Sequence, residues 1–199
     1  SVSLLKSKVE DYFTTENLEK FFPGKSETEK LALRTMTLGG QRMRPLLTVL
    51  ACQSYSSHIS EEVQFAMAVI IECFHKASLV HDDIQDDEDF RYNQPALHKT
   101  AGIPVAINIG DYLTGKGYKL LSAIDCDPVV KAGCLKIIAS SHLNLSEGQG
   151  ADILLHQNIA QQPVQDILKI FELKTGEAVK VALLIGAIAG NAPENDLKV

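Results

Sequence analysis

Apolar residues recur along this chain at steps of three and four, with polar residues filling the positions between them. That spacing marks amphipathic helix, and no stretch sustains the two-residue alternation of a strand. Residues 2–22 carry Leu4, Leu5, Val9, Tyr12, Phe13, Leu18, Phe21 and Phe22, two short amphipathic turns with a break near Thr14 and Thr15. Pro23-Gly24 closes them. Ser26 followed by Glu29 is a capping box and predicts a helix to about Leu38, where Gly39-Gly40 stops it. Arg44-Pro45 opens the next, to about Tyr55. Ser60 caps another, with Glu61 and Glu62 in its first turn. That helix runs to about Asp86. At about 27 residues it is more than twice the average length of about 11–12, so it belongs in the middle of the molecule. Residues 90–100 hold Pro95 and turn formers and read as loop. Pro104, Pro128 and Pro163 each start a further helix, running to about Ala123, toward Gly148-Gln149-Gly150 and to about Ala189.

These elements predict an all-α fold, a bundle of long helices around a deep apolar centre. No linker composition or repeat divides it, so residues 1–199 read as a single domain. The longest apolar run, residues 181–190, is far short of a membrane span, and Lys6, Lys8, Glu10 and Asp11 interrupt any leader-like run at the start. The expectation is a cytoplasmic protein with no transmembrane segment. Cys52, Cys73, Cys126 and Cys134 form no close pair and read as reduced thiols. A net charge of −6 argues against a nucleic-acid partner, which would need clustered Lys and Arg.

Charge matters locally, in residues 72–89, ECFHKASLVHDDIQDDED, where an apolar helical pattern runs into Asp82, Asp83, Asp86, Asp87, Glu88 and Asp89. Helical steps bring His75, Leu79, Asp82 and Asp86 to one side, with Asp83 three residues before Asp86. Carboxylates that close repel unless a cation sits between them. Hard oxygens on a rigid helix suit Mg²⁺, which takes one or two carboxylates and completes its shell with water and phosphate. Residues 87–89 read as a solvated face, and Lys76 is expected to point to solvent.

Other stretches fit chemistry on Mg²⁺ and diphosphate. Gly39-Gly40-Gln41-Arg42-Met43-Arg44-Pro45 puts two arginines at a helix start, where free N–H groups also favour anions. Arg91 follows the acid cluster, Gln149 and Asp152 stand three apart, and Lys174-Thr175-Gly176 adds an ammonium and a hydroxyl. With GGQRMRP, the DDxxD of residues 82–86, RYNQPALH, GIPVAINIGDYL, GQGADI and FELKTG in this order, the chain resembles the trans-isoprenyl diphosphate synthases, the polyprenyl synthetase family, from about Lys25 to Gly190.

The resemblance implies long helices around a central apolar cavity, a homodimer, and Mg²⁺-dependent condensation of isopentenyl diphosphate onto an allylic prenyl diphosphate. It makes Asp82, Asp83 and Asp86 the metal-holding motif of the allylic diphosphate, with Arg91 and Lys174 as direct diphosphate contacts. Gln149 lies near the allylic group, and Arg44 and His75 bind isopentenyl diphosphate. Gln41, Tyr92 and Thr175 complete the substrate-binding positions. Ala77 matches the position whose bulk limits product length, and its small side chain implies an open floor. The chain departs from the family in carrying Gln41 where a Lys is usual and Tyr92 where a second Arg is usual. The second aspartate motif is expected beyond Val199, so the chain reads as lacking the C-terminal third of such a domain.

Overall fold

The computed structural model describes residues 2–56, 58–157 and 163–198. The chain runs through α1 (Val2–Asp11), α2 (Thr15–Leu18), α3 (Glu27–Thr37), α4 (Met43–Tyr55) and α5 (Glu61–Gln85). A two-stranded hairpin follows, β1 (Phe90–Arg91) with β2 (Gln94–Pro95), then α6 (Leu97–Ala101), α7 (Ile103–Ala123) and α8 (Pro128–Gln157). Beyond the undescribed residues come α9 (Val164–Phe171), a π-helical turn (Glu172–Gly176), α10 (Glu177–Ala189) and a 3-10 turn (Glu194–Leu197). The all-helical expectation holds.

Helix α5 is the axis of the bundle. Ser60 caps it by accepting from Val63 N, and Asp86 closes it by donating its N–H to the Asp82 carbonyl. Along one side Val69, Cys73 and Ala77 join a core with Val9, Phe22, Met36, Ile109 and Leu113, from α1 to α3 and α7. Along the other, Ile70 and Phe74 join Cys134, Ile138, Ala182 and Ile185, from α8 and α10. Helix α5 is long and apolar enough to cross a membrane by length and composition, yet 72% of that stretch is buried in the bundle. Ala77 is 3% exposed within the first core.

Small residues let the helices close on one another. A Cβ on Gly117 would stand 2.7 Å from the Phe74 ring, and one on Gly190 would stand 2.5 Å from the Cys52 carbonyl oxygen. Both contacts need a bare backbone. The capping residue Ser26 accepts from Glu29 N, as predicted, but the Glu29 carboxylate does more. It accepts from Lys25 N at 2.9 Å, Tyr112 Oη at 2.9 Å and Lys116 Nζ at 3.2 Å, which ties α3 to α7.

Three local expectations need correction. Residues 90–100 hold the hairpin and α6 rather than plain loop. Helix α8 continues past Gly148 and Gly150 to Gln157, and Gly148 serves close packing against Leu173 rather than a helix end. The helix from Pro163 is broken in register by the π-helical turn. The four cysteines are free, and Cys52, Cys73 and Cys134 are buried.

Candidate functional site

The last turn of α5 carries the acids on two different faces. Asp83 is 3% exposed and turned to the hairpin, where Arg91 Nε donates to its Oδ1 at 2.8 Å and Arg91 Nη2 reaches the same oxygen. Asp82 is half-buried and Asp86 exposed, one turn apart on the neighbouring face. The structure therefore brings Asp82 together with Asp86 and gives Asp83 to Arg91. Among the described residues no group of three or more His, Cys, Asp or Glu is gathered as a metal site.

Burial pushes the Asp82 carboxyl up to about 6, against the pull of Lys174 and Arg91 and with the push of Asp86 and Asp83. A carboxylate so placed is one whose charged form burial disfavours. Two hard oxygen donors one turn apart on one helix face fit Mg²⁺. Asp82 and Asp86 are the residues that could hold it.

The opposite wall comes from α8 and the π-helical turn. A single π turn widens the helix locally and re-aims its side chains. Gly148 lets this turn approach: a Cβ there would stand 2.7 Å from Leu173 Cβ and 3.2 Å from Lys174 Cγ. Lys174 then pairs with Asp152 of α8, and its charge reaches Asp82. Gln149 Nε2 donates to Gln85 Oε1 at 2.9 Å, joining α8 to the end of α5. Gln149 Oε1 is buried with no protein partner, so an acceptor is left over at this wall. Thr175 is exposed on the same turn.

Two turns earlier along α5 is a cluster of cations. Arg44, in the first turn of α4, has Nη1 2.9 Å from His75 Nε2, and its Nε is buried with no partner. Burial, then Arg44 and Lys76, push the His75 imidazole down to about 3. Arg42 is 7% exposed in a left-handed conformation. Its Nη1 donates to Glu72 Oε1 at 2.5 Å, its Nη2 to the carbonyls of Met36 and Thr37, and its guanidinium lies over the Phe13 ring. Arg42 is thus a tie inside the fold. Gln41 is exposed beside it.

Tyr92 lies on the glycine turn, close enough that a Cβ on Gly39 would stand 2.6 Å from Tyr92 Cγ. Lys76, expected in solvent, is 2% exposed. Its Nζ donates to the Leu38 and Gly39 carbonyls, which draw it inward. Behind the hairpin a pocket of about 280 Å³ opens between α3, α5 and α6, with Asp83, Arg91 and Tyr92 on its wall.

Sequence reasoning missed the parts played by Glu72, Lys76 and Gln85. For Glu72 a signal was present: a carboxylate between Ile71 and Cys73 in an apolar run needs a buried partner.

The sequence model of the polyprenyl synthetase family matches residues 25–199. The geranylgeranyl diphosphate synthase of Methanosarcina mazei is 31% identical over 168 residues, 84% of this chain and 51% of its own length. The farnesyl diphosphate synthase of Bacillus subtilis is 29% identical over 177 residues, 85% of this chain and 58% of its own. The chain spans about half the length of the curated relatives it matches. The solved FPP/GFPP synthase from Zymomonas mobilis matches with a TM-score of 0.84 at 25% identity, over 98% of this chain and 72% of that one. The geranylgeranyl pyrophosphate synthetase from Pyrococcus horikoshii matches at 0.86 and 27%, over 99% and 59%. With the family's sequence pattern across residues 25–199 and its fold across nearly the whole length, this chain belongs to the polyprenyl synthetase family.

Proposed function

We propose that this chain carries the allylic half of a Mg²⁺-dependent prenyltransferase, which condenses isopentenyl diphosphate with an allylic prenyl diphosphate to give a longer polyprenyl diphosphate. The observation that carries the reading is Asp82 on α5, one turn from Asp86, with the charge of Lys174 on the π-helical turn reaching it. Acids on one wall and an ammonium on the other suit a metal-bridged diphosphate. When bound, Mg²⁺ would supply the positive charge that offsets the negative charge developing on the leaving diphosphate.

The residues of the chain do the rest. Lys174 is shared between Asp152 and the diphosphate and stabilises negative charge as the allylic C–O bond breaks. Arg91, gripped by Asp83, points a guanidinium at the same group from the hairpin. Gln149 offers its unpartnered Oε1 to positive charge on the allylic carbon. Arg44 and the neutral His75 hold the second diphosphate. The reading includes a homodimer, the further Mg²⁺ ligands of a second aspartate motif, and a cytoplasmic location.

Incubation with Mg²⁺, farnesyl diphosphate and labelled isopentenyl diphosphate tests it. The expected product from the full-length protein is a longer prenyl diphosphate; no elongation by it with any divalent metal removes the reading. A second reading has one observation in its favour. Tyr92, covering Gly39 and Gly40, leaves no cation at positions 41 and 92 for a second diphosphate. A single-substrate cyclase or phosphohydrolase would then yield hydrocarbon or alcohol from one prenyl diphosphate, and elongation alone rejects it.

A further inference from the structure

Lys76 and Tyr92 make a contact for which the catalytic reading has no use. Lys76 is 2% exposed, and the charge of the buried Glu72, which Arg42 grips, reaches it without a direct ion pair. Its ammonium donates to the carbonyl of Leu38 and, at 3.3 Å, to that of Gly39, where α3 gives way to the glycine turn. The same ammonium lies 4.3 Å from the centre of the Tyr92 ring. Tyr92 in turn rests on the turn itself, its Oη 3.1 Å from where a Cβ of Gly40 would stand. One buried cation therefore touches the glycine turn and the hairpin at once.

Both segments need holding. Gly39 and Gly40 have φ of +49° and +94°, so the turn is built from the least restrained residue type. Tyr92 and Asn93 sit at φ of +52° and +60°, a conformation a bulky side chain adopts only when its surroundings fix it. The turn leads into Arg44, and the hairpin carries Arg91 on the residue next to Tyr92.

We propose that Lys76 is a positioning residue for the diphosphate site: through the Tyr92 ring it locks the hairpin that carries Arg91 to the glycine turn that leads into Arg44. The proposal rests on the reading of Arg44 and Arg91 as diphosphate ligands. Lys76 touches no substrate. It sets the spacing of two guanidinium groups before any anion arrives, so that less ordering remains to be done on binding.

The test combines hydrogen exchange over residues 38–44 and 90–95 with the affinity for inorganic pyrophosphate in the presence of Mg²⁺. Lys76→Met and Tyr92→Leu are expected to speed exchange in both segments and to weaken pyrophosphate about tenfold, part of what a cation–π contact held out of water contributes. Tyr92→Phe keeps the ring and is expected to leave exchange in both segments unaltered. The double variant Lys76→Met/Tyr92→Leu is expected to be no worse than the worse single one, because both remove the same contact. Unchanged exchange in Lys76→Met, losses that add in the double variant, or faster exchange with undiminished pyrophosphate affinity would each overturn the proposal. If Lys76→Met does not fold, Tyr92→Leu against Tyr92→Phe decides the same question. Exchange needs neither metal nor substrate. A failure of the catalytic reading shows itself separately, as an unaltered protein that binds no pyrophosphate.

Discussion

Arg44 Nη1 stands 2.9 Å from His75 Nε2. A guanidinium can only donate, so Nε2 accepts and the imidazole is neutral with its proton on Nδ1. Burial and the surrounding cations hold His75 at about 3, against 6.5 when it is free. The unfolded chain therefore binds this proton before the folded one does. Stability is full above pH 6.5 and is lost as pH falls toward 3. In His75→Gln that share of the acid sensitivity is missing. Thermal midpoints of the two proteins between pH 7 and pH 4 check this: the gap between them narrows on acidification.

Arg42 and Glu72 are both buried, and among the described residues Arg42 is the hydrogen-bond donor to the Glu72 carboxylate. Arg42→Met leaves a charged group in the core without its partner and is expected to cost about 3–5 kcal/mol. Arg42→Met/Glu72→Met removes both and costs less than the single variant. Denaturant unfolding of the three proteins gives the comparison.

Gly186 meets the Thr48 carbonyl where α10 crosses α4. A methyl group there runs into backbone, which cannot rotate away. Gly186→Ala is expected to lose about 1–3 kcal/mol of stability. The matching control is Gly115→Ala, where a Cβ meets nothing within 4 Å. It is expected to be neutral or to gain up to about 1 kcal/mol, since Ala favours helix over Gly.

Asp82 and Asp83 are neighbours with different duties. Asp82→Asn is expected to abolish Mg²⁺-dependent pyrophosphate binding with little change in stability, because the residue is half-buried and its partner in the proposed function is the metal. Asp83→Asn weakens the grip on Arg91 and is expected to lower stability while leaving metal affinity closer to the original. Calorimetric titration and thermal unfolding of the two variants separate these effects.

Much of the helical layout could be read from the chain because helix signals are local. Ser60 and Asp86 marked the two ends of α5, and the break at Thr14 was visible in the spacing of apolar residues. The errors came where distant partners decide. Gly148 and Gly150 looked like a helix end, but Gly148 exists to admit Leu173 from a segment 25 residues away. The hairpin was hidden because its strands are two residues long and its turn is built on Tyr92 and Asn93 without glycine. Lys76 was misplaced because the carbonyls that bury it belong to Leu38 and Gly39. Spacing alone also grouped three aspartates, whereas the hairpin's guanidinium draws Asp83 aside.

The central claim is that Asp82 and Asp86 hold an allylic diphosphate through Mg²⁺ across from Lys174. Titration of the protein with farnesyl thiodiphosphate, a slow-reacting allylic analogue, with and without Mg²⁺, tests it most directly. The account predicts binding that requires the metal and vanishes in Asp82→Asn/Asp86→Asn. Equally tight binding by that double variant, or by the unaltered protein in the presence of a metal chelator, would contradict it.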